Sequence, residues 1–132
     1  MAERIKTAII GCGKNANELH TPILLRHPVF EVIGTYDIVA DRAERLAKVF
    51  YLNGHKNCRA YASREELLAS DVQYCVVLTD SHMHTEVAAA CLRAGKNVLI
   101  TKPWAKNSED AAFIIEEAKK AKKAFGDRKS VV

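Results

Sequence analysis

Short, continuous apolar runs alternate along this chain with stretches of helical period, and that alternation limits the accessible folds more than any other feature. Thr7–Ile10 is one such run, closed by Gly11. Val29 to Tyr36 is rich in β-branched and aromatic residues, Gln73 to Leu78 contains Cys75-Val76-Val77-Leu78, and Asn97 to Ile100 is another run of strand length. A weaker, shorter strand is expected around Arg59–Tyr61. Between the runs lie helix signals. Thr21-Pro22 offers an N-cap and a first helical residue. A break or restart is expected there, because proline deep inside one helix costs about 3 kcal/mol. Asp41-Arg42-Ala43-Glu44 starts a helix whose apolar face is Ala43, Leu46, Ala47 and Phe50. Ser63-Arg64-Glu65-Glu66 is a capping box for a one- or two-turn helix through Leu67 and Leu68. Ser81 opens a helix with Val87, Ala88, Cys91 and Leu92 on one face and Gly95 as its C′ residue. Ser108 caps a last helix with Ala111, Ile114, Ile115 and Ala118 on one side.

Five strands alternating with five helical segments call for a parallel sheet covered on both faces. Right-handed crossovers then make a doubly wound α/β sheet of the Rossmann type the expected architecture. At 132 residues, 48% apolar and 27% charged, the chain has the composition of one globular domain with a single core. No apolar run approaches the ~18 residues of a membrane span, and the first apolar stretch is too short for a signal peptide. A cytoplasmic location and no membrane partner are expected.

Gly11-Cys12-Gly13-Lys14-Asn15-Ala16 fits G-x-G-x-x-G/A directly after the first strand, the context that gives this pattern its meaning. Gly11 permits the tight turn, Gly13 removes the β-carbon that would block a pyrophosphate, and Ala16 keeps the next helix close to the sheet. Backbone N–H groups at that helix N-terminus can then hold the anion. The second strand ends in Asp37, 21 residues after Ala16. An acid at that distance accepts hydrogen bonds from the adenosine ribose hydroxyls. Its charge repels a 2′-phosphate, so NAD is favoured, while Arg42 lies near enough to leave NADP open. A simple glycine turn and a solvent-facing aspartate are the plainer readings. The spacing, which one βαβ unit demands, favours a joint dinucleotide site.

The formal charge of +4 does not point to a nucleic-acid partner. From Ala118 onward, six basic residues stand against Asp127, so residues 1–117 carry a net −1. Such a run reads as a solvated helix face or loose tail. Cys12, Cys58, Cys75 and Cys91 show no C-x-x-C pairing and are expected to be buried, reduced thiols. His82-Met83-His84 is not accompanied by acids or cysteines at metal spacing, so no metal is expected.

Together these residues resemble the N-terminal domain of the glucose–fructose oxidoreductase/inositol dehydrogenase (Gfo/Idh/MocA) family. The resemblance runs from Ile5 to about Ala124. It is carried by the glycine loop, His20-Thr21-Pro22, Asp37, Thr79-Asp80-Ser81-His82-Met83-His84, and Ala90 to Val98 leading into Thr101-Lys102-Pro103. It implies hydride transfer between NAD(P) and a carbon–oxygen bond of a sugar, inositol or related polyol. It also implies that Thr79, Ser81, His84, Lys102 and Pro103 stand on the cofactor side. Lys102 matches the lysine of the family's Glu-Lys-Pro motif, which orients and polarises the substrate oxygen. An ammonium there stabilises alkoxide character as hydride leaves, and Pro103 holds Lys102 in extended geometry. Thr101 and Asp80 depart from the family's usual Glu and Pro, which bears on catalysis but not on the fold.

The family's second α/β domain, with its substrate pocket and Asp/His pair, has no counterpart in these residues. The sugar-like substrate is therefore expected only with that domain, and the resemblance leaves an oligomer open for a full-length form. Asp127-Arg128-Lys129-Ser130-Val131-Val132 is what GATCGGAAGAGCGTCGTG, a common sequencing adapter, encodes in one frame. The expectation is a domain over residues 1–125 followed by a non-native tail over 126–132. Such a fragment would bind dinucleotide without full catalysis. A stand-alone nucleotide-sensing or interaction module using the same loop is the alternative.

Overall fold

In the computed structural model, which describes residues 4–12, 21–26, 29–78, 81–100 and 108–125, five strands form one parallel sheet. They are β1 (Ile5–Ile10), β2 (Phe30–Tyr36), β3 (Arg59–Ala60), β4 (Tyr74–Val77) and β5 (Asn97–Ile100), in the order β3-β2-β1-β4-β5. The doubly wound Rossmann architecture expected from the alternation is therefore present. The helices are α1 (Thr21–Arg26), α2 (Ala40–Leu52), α3 (Arg64–Ala69), α4 (Ser81–Arg93) and α5 (Ser108–Phe125).

β1, β2 and β4 bury both faces, which is why their runs are apolar without strict alternation, whereas the edge strand β3 has Arg59 exposed. Ala8, Ile10, Cys75, Val77 and Val98 point to one layer, where they meet Leu67 of α3, Val87, Cys91 and Leu92 of α4, and Ala121 of α5. Ile9, Val32 and Val76 point to the other, against Leu24 of α1 and Ala43, Leu46, Ala47 and Phe50 of α2. The apolar faces expected for the helices around Phe50 and Leu92 are the ones that pack. All four cysteines are free and buried. Burial pushes the Cys58 thiol up to about 12, and a hydrogen bond with Cys75 together with burial raises that of Cys91.

Helix ends follow local chemistry. Ser63 Oγ accepts from Glu66 N–H at 3.1 Å, the cap expected for α3. Gly95, at φ +83°, ends α4 as a Schellman turn: its N–H donates to Leu92 O and that of Lys96 to Cys91 O. Gly54, at φ +99°, repeats the arrangement after α2 through bonds to Tyr51 O and from His55 N–H to Phe50 O. Thr21 begins α1, one residue earlier than expected, with Pro22 in its first turn; residues 13–20, on the far side of the expected break, lie outside the described ones.

Two expectations are corrected. Asp41 does not cap α2: the N-cap is Val39, without a side-chain bond, and Asp41 sits in the first turn. The cause is Asp37, whose Oδ1 accepts from Val39 N–H at 2.8 Å and bends the chain into the helix earlier. Along α5, Ile115 is 47% exposed rather than inward. Among the described side chains, which leave out those of Ala111 and Ile114, the inner face carries Glu117, Ala118 and Ala121, and Arg93 of α4 reaches Glu117 with two bonds, Nε to Oε2 at 3.1 Å and Nη2 to Oε1 at 2.8 Å. That pair holds the Glu117 carboxyl below the usual carboxylate range. Helix α5 also runs on to Phe125, so Lys119 and Lys120 form part of its exposed side. No helix among the described residues is long and apolar enough to cross a membrane.

Candidate dinucleotide site

Strand order sets where a ligand can enter. β1 lies between β2 and β4; the chain leaving β1 goes to the layer of α1 and α2, and the chain leaving β4 goes to the opposite layer. The two connections diverge at the carboxyl ends of β1 and β4, the switch point at which open α/β sheets bind ligands.

The β1 side of this crevice opens with Gly11 at φ +97°, a conformation that side chains other than glycine rarely adopt. Gly11 N–H donates to Tyr36 O at 2.8 Å, continuing the β1–β2 ladder by one residue before the chain turns away. Cys12 follows, almost wholly buried. Its N–H donates to Asp37 Oδ2 at 2.7 Å and its thiol to Tyr36 O at 3.5 Å. Burial, and then the charge of Asp37, pushes the Cys12 thiol up to about 12, so it is a neutral structural group and not a nucleophile.

Asp37 stands at the carboxyl end of β2, partly exposed, with one backbone amide on each carboxylate oxygen. Each oxygen has a second lone pair, so the group still offers acceptor positions toward solvent. The residue after the first glycine and the acid that follows β2 are thus neighbours across one hydrogen bond. Arg42 lies exposed in the first turn of α2, its N–H on Val39 O at 3.0 Å. Arg45, one turn on, faces Asp41 at 4.0 Å.

Gly13, Lys14, Asn15, Ala16, Thr79, Lys102 and Pro103 lie outside the described residues, as do Asp80, Thr101 and residues 126–132. Ser81 and His84 belong to the first turn of α4, at the carboxyl end of β4, with their side chains outside the described ones. Cys12 was not among the expected site residues, although it is the first variable position of the glycine pattern. Ile38 and Val39 were missed too: 87% and 43% exposed, they put apolar surface beside the acid. Two β-branched residues directly after a strand-end aspartate were the available signal.

The sequence model of an oxidoreductase family with an NAD-binding Rossmann fold, Gfo/Idh/MocA, matches residues 5–127. UDP-N-acetylglucosamine 3-dehydrogenase of Acidithiobacillus ferrooxidans is 29% identical over 111 residues, covering 84% of this chain and 32% of its own. KijD10, a 3-ketoreductase from Actinomadura kijaniata crystallised with NADP and TDP-benzene, superposes with a TM-score of 0.81 at 28% identity, over 90% of this chain and 35% of that one. GenD2 from gentamicin A biosynthesis, crystallised with NAD, gives 0.81 at 28% identity, over 92% and 33%. The chain spans about a third of the length of the relatives it matches.

Proposed function

The chain belongs to the Gfo/Idh/MocA family, an NAD(P)-binding oxidoreductase family, and from that premise we propose that residues 1–125 are the cofactor-binding part of an enzyme acting on a sugar-like alcohol or its ketone. The observation that supports this reading is the Cys12–Asp37 hydrogen bond at the switch point, which joins the residue after the first glycine to the acid that follows β2. Gly11 and Gly13 let backbone approach the pyrophosphate, and Lys14, Asn15 and Ala16 complete its loop. Asp37 takes the adenosine ribose hydroxyls, with Ile38 and Val39 supplying apolar surface for the adenine beside it. A carboxylate at that position makes NAD the preferred cofactor, with Arg42 the nearest cation for the 2′-phosphate of NADP. Thr79, Ser81, His84 and Pro103 line the nicotinamide half.

When bound, the cofactor accepts or delivers the hydride. Lys102 is the catalytic residue: its ammonium stands by the reacting oxygen and stabilises alkoxide character. Thr101, in place of the usual glutamate, removes a carboxylate that would pair with this lysine. The name of the UDP-N-acetylglucosamine 3-dehydrogenase relative supports a sugar-like substrate. On their own the 132 residues bind dinucleotide without turnover, because a substrate pocket and proton-transfer pair are needed to complete the constellation.

Calorimetric titration of the 132-residue protein is expected to show NAD binding more tightly than NADP. Asp37→Ala is expected to weaken NAD binding by about tenfold, as for loss of charge-assisted hydrogen bonds, and by more than it lowers folding stability expressed in the same units. Equal NAD affinity in wild type and variant overturns the ribose assignment, and no binding of either dinucleotide overturns the function.

A further inference from the structure

We infer that Asp37 is also a positioning residue for the phosphate loop, so that affinity for the cofactor's phosphates depends on a side chain that touches none of them. The inference rests on the cofactor reading above. Three bonds tie the first two loop residues to the end of β2: Gly11 N–H to Tyr36 O, Cys12 Sγ to Tyr36 O, and Cys12 N–H to Asp37 Oδ2. The last is the only one with an ionised acceptor, and such bonds are shorter and about twice as strong as neutral ones. Its length, 2.7 Å, fits that class.

Among the described residues, Asp37 is the acceptor that holds the Cys12 amide. Cys12 is 1% exposed, so water does not reach it freely, and a buried amide without an acceptor is strongly disfavoured. The ladder with β2 has already ended at Gly11. The other oxygen of the same carboxylate holds Val39 N–H, which fixes Asp37 to the start of α2. Removing the carboxylate therefore frees both ends of the clamp, and Cys12 N–H must turn to find another acceptor. Because Gly11 holds φ +97° directly before it, such a turn redirects the backbone leading into Gly13.

The test separates loop positioning from ribose contact by using a ligand without the ribose contact. NAD and an NAD analogue lacking the adenosine 2′- and 3′-hydroxyls are titrated into wild type and Asp37→Ala. In parallel, amide hydrogen exchange is followed without ligand. A ribose contact alone leaves the analogue's affinity equal in the two proteins. Loop positioning weakens the analogue about fivefold to tenfold in the variant and speeds exchange at Cys12 while Ile9 and Val76 in the sheet keep their protection. Unchanged analogue affinity, or unchanged exchange at Cys12, overturns the inference. Should the alanine variant not fold, Asp37→Asn gives the same reading. Its single carbonyl oxygen cannot serve the two amides as the carboxylate does, so exchange rises at Cys12 or Val39, and protection retained at both overturns the clamp. If wild type binds neither ligand, the cofactor reading fails, while the exchange arm still reports on the Cys12–Asp37 bond.

Discussion

A β-carbon at Gly34 would sit 2.6 Å from Cε2 of Tyr61, well inside van der Waals contact. The ring is not free to yield. Tyr61 N–H is bound to Thr35 O at 2.8 Å, and the Arg59 guanidinium lies over the ring, 4.2 Å from its centroid. Glycine in the middle of a buried strand is normally a weakness; here it makes room for an aromatic residue arriving from beyond β3. Gly34→Ala is expected to destabilise by about 1–3 kcal/mol, the range for overpacking, measured as a shift in the urea midpoint at constant m. Tyr61→Leu in the same chain should recover part of that loss, because residues in contact do not add. A fully additive double variant would show that the clash is not with Tyr61. The same strand carries two more residue-scale devices. Thr35 Oγ1 donates to Ala43 O at 2.7 Å, fastening α2 to β2. His55 Nδ1 accepts from Val32 N–H at 3.0 Å, beyond the stretch of β2 that the two-residue β3 pairs.

At the scale of elements, what could be read in advance was what neighbouring residues decide. Gly95 and Ser63 act through backbone conformation and a local bond, so their roles follow from position in the chain. Runs such as Cys75–Leu78 announce a buried parallel strand because both faces are covered. The errors came from competing partners, one two residues from the helix start and one 24 residues away along the chain. Asp41 looked like a cap, but Asp37, at the end of β2, sets the start of α2. Ile115 looked inward, but Arg93 draws Glu117 inward instead, and helix periodicity then turns Ile115 out. Of the site, the glycine turn and the acid were legible as a spacing; that they share a hydrogen bond through Cys12 was not, because the bond spans 25 residues. These local devices have predictable sizes. Ser63→Ala should cost about 1 kcal/mol, typical of a lost N-cap. Gly54→Ala meets no neighbour within 4 Å, so its whole cost, about 1–2 kcal/mol, is the left-handed conformation at φ +99°. Thermal melts of Gly54→Ala and Gly54→Asn distinguish conformational strain from packing: asparagine, which tolerates this region, should lose less despite its larger side chain.

For the molecule as a whole, three of the described groups link folding to acid pH, and these three act in the same direction. His55 is nearly buried; burial, and then the charge of Arg4, lowers its pKa below the ordinary 6.5, against an opposing pull from Glu31. Above 6.5 it is neutral in folded and unfolded chains, and its Nδ1 is available to Val32. As pH falls below 6.5 the unfolded chain takes up the proton first, so stability declines until the folded-state pKa is reached. Glu117 is lowered from 4.5 by the hydrogen bonds of Arg93, so its contribution is present above 4.5 and is lost as pH drops through the folded value. Asp71, lowered from 3.8 by its hydrogen bond to Lys6, follows the same sign, but that pair lies on the surface and adds little. The expected profile therefore falls in two stages on acidification, one beginning near 6.5 and one near 4.5. His55→Asn keeps an acceptor for Val32 N–H while removing the titration; it should flatten the upper stage and leave the lower one. Glu117→Gln should do the reverse. Melting temperatures measured from pH 7.5 down to 3.5, about a unit to either side of the two onsets, check both assignments. An upper stage that survives in His55→Asn would place the linked proton on another group.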